Sequence, residues 1–270
     1  MLYVKKEGGG LLSKLSRRLK SGLMPALRAE VVKNSDLLRA NLKHTYGDQK
    51  GQVEFLINNV FDYQNRGLPK AGFFVDLACA DGVWISNTYF LERCLGWRGL
   101  LFEPNPGYRN SIEKYRVSPL VTSCVTDVRG ETVRFRIDNG MLGGIVSEET
   151  DNSDAVRGGE LKSAKIIELP TTSLEYELDK IGAPKEIGFL SLDIEGAEWI
   201  ALRSFPFDKY VFRCMAIERP SESLDLLLDK NGYRQVSHLS FDVIYVHEKY
   251  LSEVNFDPIA KFAFTPNKDW

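Results

Sequence analysis

The chain has 270 residues, a formal net charge of −2, 43% hydrophobic and 27% charged residues. That length suffices for one catalytic-sized core with extensions, and the slight acidic balance leaves no global nucleic-acid footprint. No apolar run approaches ~18 residues, so no membrane-spanning helix is expected, and Cys79, Cys94, Cys124 and Cys214 lack CxxC spacing and read as reduced, mostly buried thiols.

The first 33 residues are basic. After the flexible break Gly8-Gly9-Gly10, Leu11, Leu12, Leu15, Leu19 and Leu23 interleave at helical spacing with Lys14, Arg17, Arg18 and Lys20. Such a segment is either a basic amphipathic helix touching an anionic membrane surface or a helix or arm held against the domain. Its charges interrupt the apolar stretch too often for a secretory signal. Residues 34–65 read as helical, with Val53, Leu56, Ile57, Val60 and Phe61 on one face. The polar loop from Tyr46 to Gln52 just before that face has the composition of a cap and turn.

From residue 73 onward, apolar runs of strand length alternate with helical patterns. Expected strands are 73–77, 99–103, 119–124, 132–137, 188–193, 211–217 and 242–247; expected helices are 83–94, 106–115, 173–180, 196–203 and 222–231. The alternation predicts an α/β fold with a mostly parallel, doubly wound sheet. Residues 140–159, rich in Gly, Ser, Asp, Asn and Glu, read as a long mobile loop of the kind that forms lids and binding loops. The expected organisation is a basic helical extension over 1–50, one domain over 51–250 and a C-terminal tail over 251–270.

The segment Phe73 to Gly82 carries the most information. An apolar run ends in Asp76, small residues follow at Ala78, Cys79 and Ala80, and Gly82 is expected to open a helix. Small side chains let a ligand approach the backbone, and a helix N-terminus offers unpaired N–H groups. Ala78 and Ala80 stand where a dinucleotide fingerprint has glycines, and a pyrophosphate needs that close approach. A cofactor without phosphate, such as S-adenosylmethionine, tolerates the looser turn. About twenty residues on, a second strand ends in Glu103, followed by Pro104-Asn105-Pro106. An acid there faces the ligand crevice and suits ribose hydroxyls; the alternative is a surface acid capping the next helix. Asp127, after Ser123 to Thr126, suits an adenine amino group or is a turn aspartate before Gly130.

The densest acidic stretch runs from Phe189 to Trp199, where an apolar strand ends in Asp193 and Glu195 and Glu198 follow. Glu218 ends another apolar strand and faces the same edge, unless it is paired with Arg213 or Arg219. Close carboxylates raise one another's pKa and supply a general base; they also suit a divalent cation, and the sequence leaves a metal open. Glu198 reads equally as a cap in a first helical turn. His44, His238 and His247 show no ligand spacing, and no HExxH, nucleophile elbow or P-loop is present. Asn105-Pro106-Gly107-Tyr108 superficially resembles the Asn-Pro-Pro-Tyr of nucleic-acid amino methylases, but it follows the second strand rather than the fourth.

Taken in order, these segments resemble the FkbM family of S-adenosylmethionine-dependent methyltransferases. The match rests on Phe74 to Gly82, Ser86 to Glu92, Leu95 to Gly99, Phe102 to Pro106 and Leu192 to Glu198, with Gly51-Gln52 similar to an upstream polar motif. The resemblance implies a Rossmann-like class I methyltransferase spanning roughly residues 46–220. It implies that the turn from Asp76 through Ala78 and Ala80 to Gly82 holds the methionine end of the cofactor, with Asn87 at its carboxylate. Glu103, with Asn105 beside it, would take the ribose, Asp127 the adenine edge, and Asp193 would lie beside the transferred methyl. Family members often methylate hydroxyls of sugars or natural products. Ala78-Cys79 departs from the commoner Gly-Ala pair.

The expected chemistry is in-line transfer to a substrate hydroxyl, with Asp193 first, then Glu195 and Glu218, as the base. The expected partner is a small-molecule or glycan acceptor, with no nucleic acid, in the cytoplasm or peripheral to a membrane through the basic arm. The competing readings are a degenerate member that binds cofactor or glycan without turnover, and a nicotinamide-dependent oxidoreductase.

Overall fold

The computed structural model describes residues 48–62, 66 and 72–255. The basic stretch before residue 34, the helical reading of 34–47 and the tail beyond 255 lie outside the described residues.

Among the described residues the strands are β1 (Phe73–Leu77), β2 (Arg98–Phe102), β3 (Leu120–Val121), β4 (Cys124–Val125), β5 (Thr132–Arg136), β6 (Ile166–Thr172), β7 (Glu186–Leu192), β8 (Val211–Glu218), β9 (Tyr233–Leu239) and β10 (Asp242–His247). Helix α1 runs from Gln52–Phe55 into a π turn at Leu56–Val60 and is followed by α2 (Tyr89–Leu95), α3 (Arg109–Tyr115), α4 (Asp154–Leu161), α5 (Leu174–Ile181), α6 (Glu198–Leu202) and α7 (Glu222–Lys230). Seven strands form one sheet in the order β3-β2-β1-β7-β8-β10-β9. The pairs from β3 to β8 are parallel, and β10 is antiparallel to both β8 and β9. This is the Rossmann-like, mostly parallel α/β fold expected.

Both faces are covered, as a parallel sheet requires. Alternate residues of one strand enter opposite layers: Val75 and Leu77 of β1 pack with Leu174, Leu178, Leu202 and Leu224, while Phe74 packs with Val53, Leu56, Phe90 and Leu91. The apolar face expected at residues 53–61 is that second layer.

Several boundaries differ from expectation. The helix expected over 83–94 begins only at Tyr89. The Asp81 carboxylate accepts from the N–H groups of Val83 and Trp84 at 2.8 and 2.7 Å, and Ser86 Oγ accepts from those of Thr88 and Tyr89 at 3.2 and 3.1 Å. Those side chains satisfy the backbone in a turn and delay the helix. Gly82 therefore opens a loop. The strand expected over 119–124 divides: β3 joins the large sheet and β4 a small one, ordered β4-β6-β5. That small sheet also takes β5, expected in the main sheet, and contains β6, which the alternation missed, as it missed β9. The expected loop 140–159 holds a 3-10 turn at Gly140–Leu142 and most of α4, capped by Ser153 Oγ on the N–H of Val156. The helix expected from 196 starts at Glu198.

Candidate active site

Chain order reverses between β1 and β7, so their C-terminal ends splay into a crevice. The turn after β1 is stitched to β2, with the N–H groups of Ala78 and Cys79 both donating to the Phe102 carbonyl at 3.0 and 3.1 Å. Ala78 (φ 71°) and Ala80 (φ 47°) lie in the left-handed region, at about 1–2 kcal/mol per residue. The backbone keeps the shape glycines would take although alanines occupy it. Gly82, with φ +81°, lines neither cavity of the crevice; a Cβ there would stand 3.0 Å from Arg116 Cγ. In this structure it turns the chain over the buried Arg116.

Two adjoining cavities occupy the crevice. The larger, about 250 Å³, is lined by Ala78, Ala80, Glu103, Asn105 and Tyr108, by the segment Gly140–Ile145, and by Asp193, Glu195 and Glu218. The smaller, about 40 Å³, is polar and is lined by Asp76, Asn87, Ser191, Asp193, Gln52 and Asp242. Gln49, Trp84 and Met141 line both.

Glu103 is 6% exposed, which overturns its reading as a surface acid. Its Oε2 accepts from the N–H of Ala80 at 2.9 Å and its Oε1 from that of Asn105 at 2.8 Å. Burial pushes its carboxyl up to about 8, against those two hydrogen bonds. Asn105 Oδ1 accepts from the N–H of Gly107 at 3.0 Å and its Nδ2 donates to the Ile137 carbonyl at 3.3 Å. Its amide thus also holds the cavity wall. Asp76 accepts from the Thr88 hydroxyl; burial raises its pKa and nearby Arg116 opposes that rise. Asn87 Nδ2 donates to Ser191 Oγ at 3.1 Å, and its Oδ1 is buried without a partner.

Asp127 is not brought to the crevice. It makes a two-pronged pair with Arg203, at 2.7 and 3.0 Å, that holds its carboxyl below the usual range, and it lines a separate surface depression. The turn alternative is nearer to what the structure contains.

Asp193, Glu195 and Glu218 come from the end of β7, the following turn and the end of β8, and one oxygen of each lies within 4.8 Å of the others. Burial, then the nearby Glu218 carboxylate, push the Asp193 carboxyl well above the usual range. Burial and Glu218 push Glu195 up to about 7, against Arg219 and Arg157, which reach it at 3.6 and 3.3 Å. Arg219 also pairs with Glu218 at 2.9 Å, whereas Arg213 pairs with Glu253. The cluster suits a shared proton or, by its oxygen donors, a divalent cation. Glu198 is the expected cap: its Oε1 accepts from the N–H of Ile194 at 2.9 Å. Gly196, at φ +89°, passes so close to the 140–159 segment that a Cβ would lie 2.7 Å from the Asp151 nitrogen.

Sequence reasoning missed Gln49, Trp84, Tyr108, Met141, Ser191 and Asp242. The polar loop before α1 held a signal for the first: Asp48 Oδ2 caps the N–H of Val53 at 2.5 Å and Asp48 bridges to Ile85, which brings Gln49 to both cavities. Asp242 had none, because it is a neighbour of Glu218 only through antiparallel pairing.

A family model described as the methyltransferase FkbM domain matches residues 76–235. Among solved structures, a precorrin-6y C5,15-methyltransferase from Geobacter metallireducens aligns at 9% identity and TM-score 0.38, covering 77% of this chain and 97% of that one. A methyltransferase FkbM from Methylobacillus flagellatus aligns at 14% identity and TM-score 0.39, covering 87% of this chain and 58% of that one. No curated protein matches.

Proposed function

The chain belongs to the FkbM methyltransferase family, and from that premise we propose that it transfers a methyl group from S-adenosylmethionine to a hydroxyl of a sugar, glycan or other polyhydroxylated small molecule. The observation that carries this reading is the convergence of Asp193, Glu195 and Glu218 in one cavity that Glu103 also lines.

The residues fit such a cofactor on two counts. Glu103 offers a buried acceptor for ribose hydroxyls, and Asn87 Oδ1 is a buried acceptor with no donor. When bound, S-adenosylmethionine supplies an electrophilic methyl whose bonding pair to sulfur leaves with the sulfur. The chain's part is positional and acid–base. Tyr108 and Met141 help wall the cavity and exclude water. Asp193 takes the acceptor's proton as the new carbon–oxygen bond forms, and its raised pKa makes it the stronger base once ionised. Glu218 and Glu195, within the same few ångströms, redistribute that proton, while Arg157 and Arg219 limit the negative charge. Neutral polyols suit a pocket of carboxylates that repels anions and would hold an amine in its unreactive protonated form.

The test is calorimetric titration with S-adenosylmethionine and S-adenosylhomocysteine, then methyl transfer from labelled cofactor to hydroxylated sugars. Micromolar binding, weakened tenfold or more by Glu103→Ala, and label transfer to a hydroxyl are expected. Binding without turnover on any acceptor would favour the module; no binding to either ligand would remove the cofactor assignment.

A further inference from the structure

Building on the proposed function, we infer that Asp242 and Asn87 receive the α-ammonium group at the methionine end of the cofactor, in the smaller cavity.

Glu103 in the larger cavity would fix the adenosine end, so the chain from sulfur runs past Ala78 and Ala80 towards the smaller one, which shares both residues. Among the described residues, that chamber is lined by three carboxylates, Asp76, Asp193 and Asp242, and by no lysine or arginine. The three are not equivalent. Asp76 is bonded to Thr88, whose hydroxyl also accepts from the Arg116 guanidinium at 2.9 Å, so its charge has a cation nearby. Asp193 belongs to the cluster with Glu218 and Glu195 that is proposed to handle the acceptor's proton. Asp242 is bonded by the neutral amide of Gln52, whose Nε2 donates at 2.5 Å. Its hydrogen-bond partner is neither a second carboxyl nor a hydroxyl held by a guanidinium, and of the cations only Lys50 acts on it through its charge.

Asn87 supplies the second observation. Its Nδ2 donates to Ser191 Oγ, and its Oδ1 is buried without a donor. An ammonium brings three donors and a full positive charge, matching one charged and one neutral acceptor. A carboxylate does not. Gln52 acts on the cofactor only by positioning Asp242: its Oε1 accepts from the N–H of Lys50 at 2.8 Å, which aims its Nε2. Burial holds the Asp242 carboxyl up at about 6, so an ammonium arriving beside it drives off a proton.

The test compares S-adenosylhomocysteine with the analogue in which hydrogen replaces the α-amino group, by calorimetry. The wild-type protein is expected to prefer S-adenosylhomocysteine by tenfold or more. Asp242→Asn should cut that preference to threefold or less while changing analogue affinity less than twofold, and Asn87→Ala should cut it by a smaller factor. If Asp242→Asn binds S-adenosylhomocysteine with the preference intact, the inference is overturned and the methyltransferase reading stands. If the wild-type protein binds neither ligand, the cofactor assignment fails and takes the inference with it. Should Asp242→Asn not fold, the wild-type protein decides: at pH 6, in buffers of different ionisation enthalpy, S-adenosylhomocysteine should release more protons than the analogue, and equal release overturns the inference.

Discussion

The carboxylate of Glu103 accepts a hydrogen bond from the backbone N–H of Ala80 at 2.9 Å, tying the end of β2 to the turn after β1. The expected ribose contact is thus also a brace for the cofactor loop. Its pKa of about 8 against an ordinary 4.5 means that the folded protein binds more protons than the unfolded chain between those values. On this group's account stability falls as pH rises through that window. Ribose hydroxyls donate to the ionised form, so S-adenosylhomocysteine should bind more tightly as pH rises through about 8. Glu103→Gln should remove that pH dependence. It should also destabilise the fold by about 1–3 kcal/mol, because an amide nitrogen would then face a backbone N–H. Calorimetry from pH 6.5 to 8.5 on both proteins checks the first point and denaturant unfolding the second; an unchanged slope in the variant refutes the contact.

Asp193→Asn should lower kcat by about 10²–10⁴ with S-adenosylhomocysteine affinity within a few-fold. Glu195→Gln should act differently. Glu195 is one of the charges that raise the Asp193 carboxyl, so its neutralisation lowers that pKa and moves the acid limb of the kcat–pH profile to lower pH. A profile displaced upwards, or full activity in Asp193→Asn, would remove the base assignment.

Ala80→Gly should stabilise the protein by about 1 kcal/mol, since φ 47° costs alanine more than glycine. The gain is partly offset by the greater freedom of glycine in the unfolded chain. Thermal unfolding reads the shift, and a lower midpoint would mean that the Ala80 methyl is a needed wall of the cavity.

The large sheet was legible because its central strands are buried on both faces and read as continuous apolar runs. Asp76, Glu103, Asp193 and Glu218 were legible because parallel strands that end in acids aim them at one edge. The rest depended on pairing across long separations. β6 contains Pro170, pairs with β5 across an antiparallel ladder and lies largely at the surface, so neither apolar content nor position announced it. The late start of α2 turned on Asp81 and Ser86 choosing local backbone partners, a choice that composition does not fix. The Arg203 partner of Asp127 was not legible, because an acid after a strand looks the same whether a ligand or an arginine answers it.

That last difference is measurable. Asp127→Ala should leave S-adenosylhomocysteine affinity within twofold, because Arg203 already takes both carboxylate oxygens away from the cavity. The pair is partly exposed, so stability should drop by at most about 1 kcal/mol. A tenfold loss of affinity would return Asp127 to the adenine edge and require the β4–β5 connection to move on binding.

Arg116 should be the opposite case. Its side chain and that of Glu92 are both fully buried, joined at 2.6 Å, and its guanidinium also donates to the Gly82 carbonyl at 3.0 Å and to Thr88 Oγ1 at 2.9 Å. One cation therefore fixes the glycine turn, the residue that bonds Asp76, and the first turns of α2. Arg116→Met would strand the Glu92 charge and remove the nearby cation that opposes the rise of the Asp76 carboxyl. A loss of about 3–5 kcal/mol is expected, read from the urea midpoint. Glu92→Leu in the same protein should restore a large part of it, because the uncompensated buried charge is then gone. A single-variant loss under about 1 kcal/mol would show that water reaches this pair, and the account of the loop as braced from beneath by Arg116 would fall.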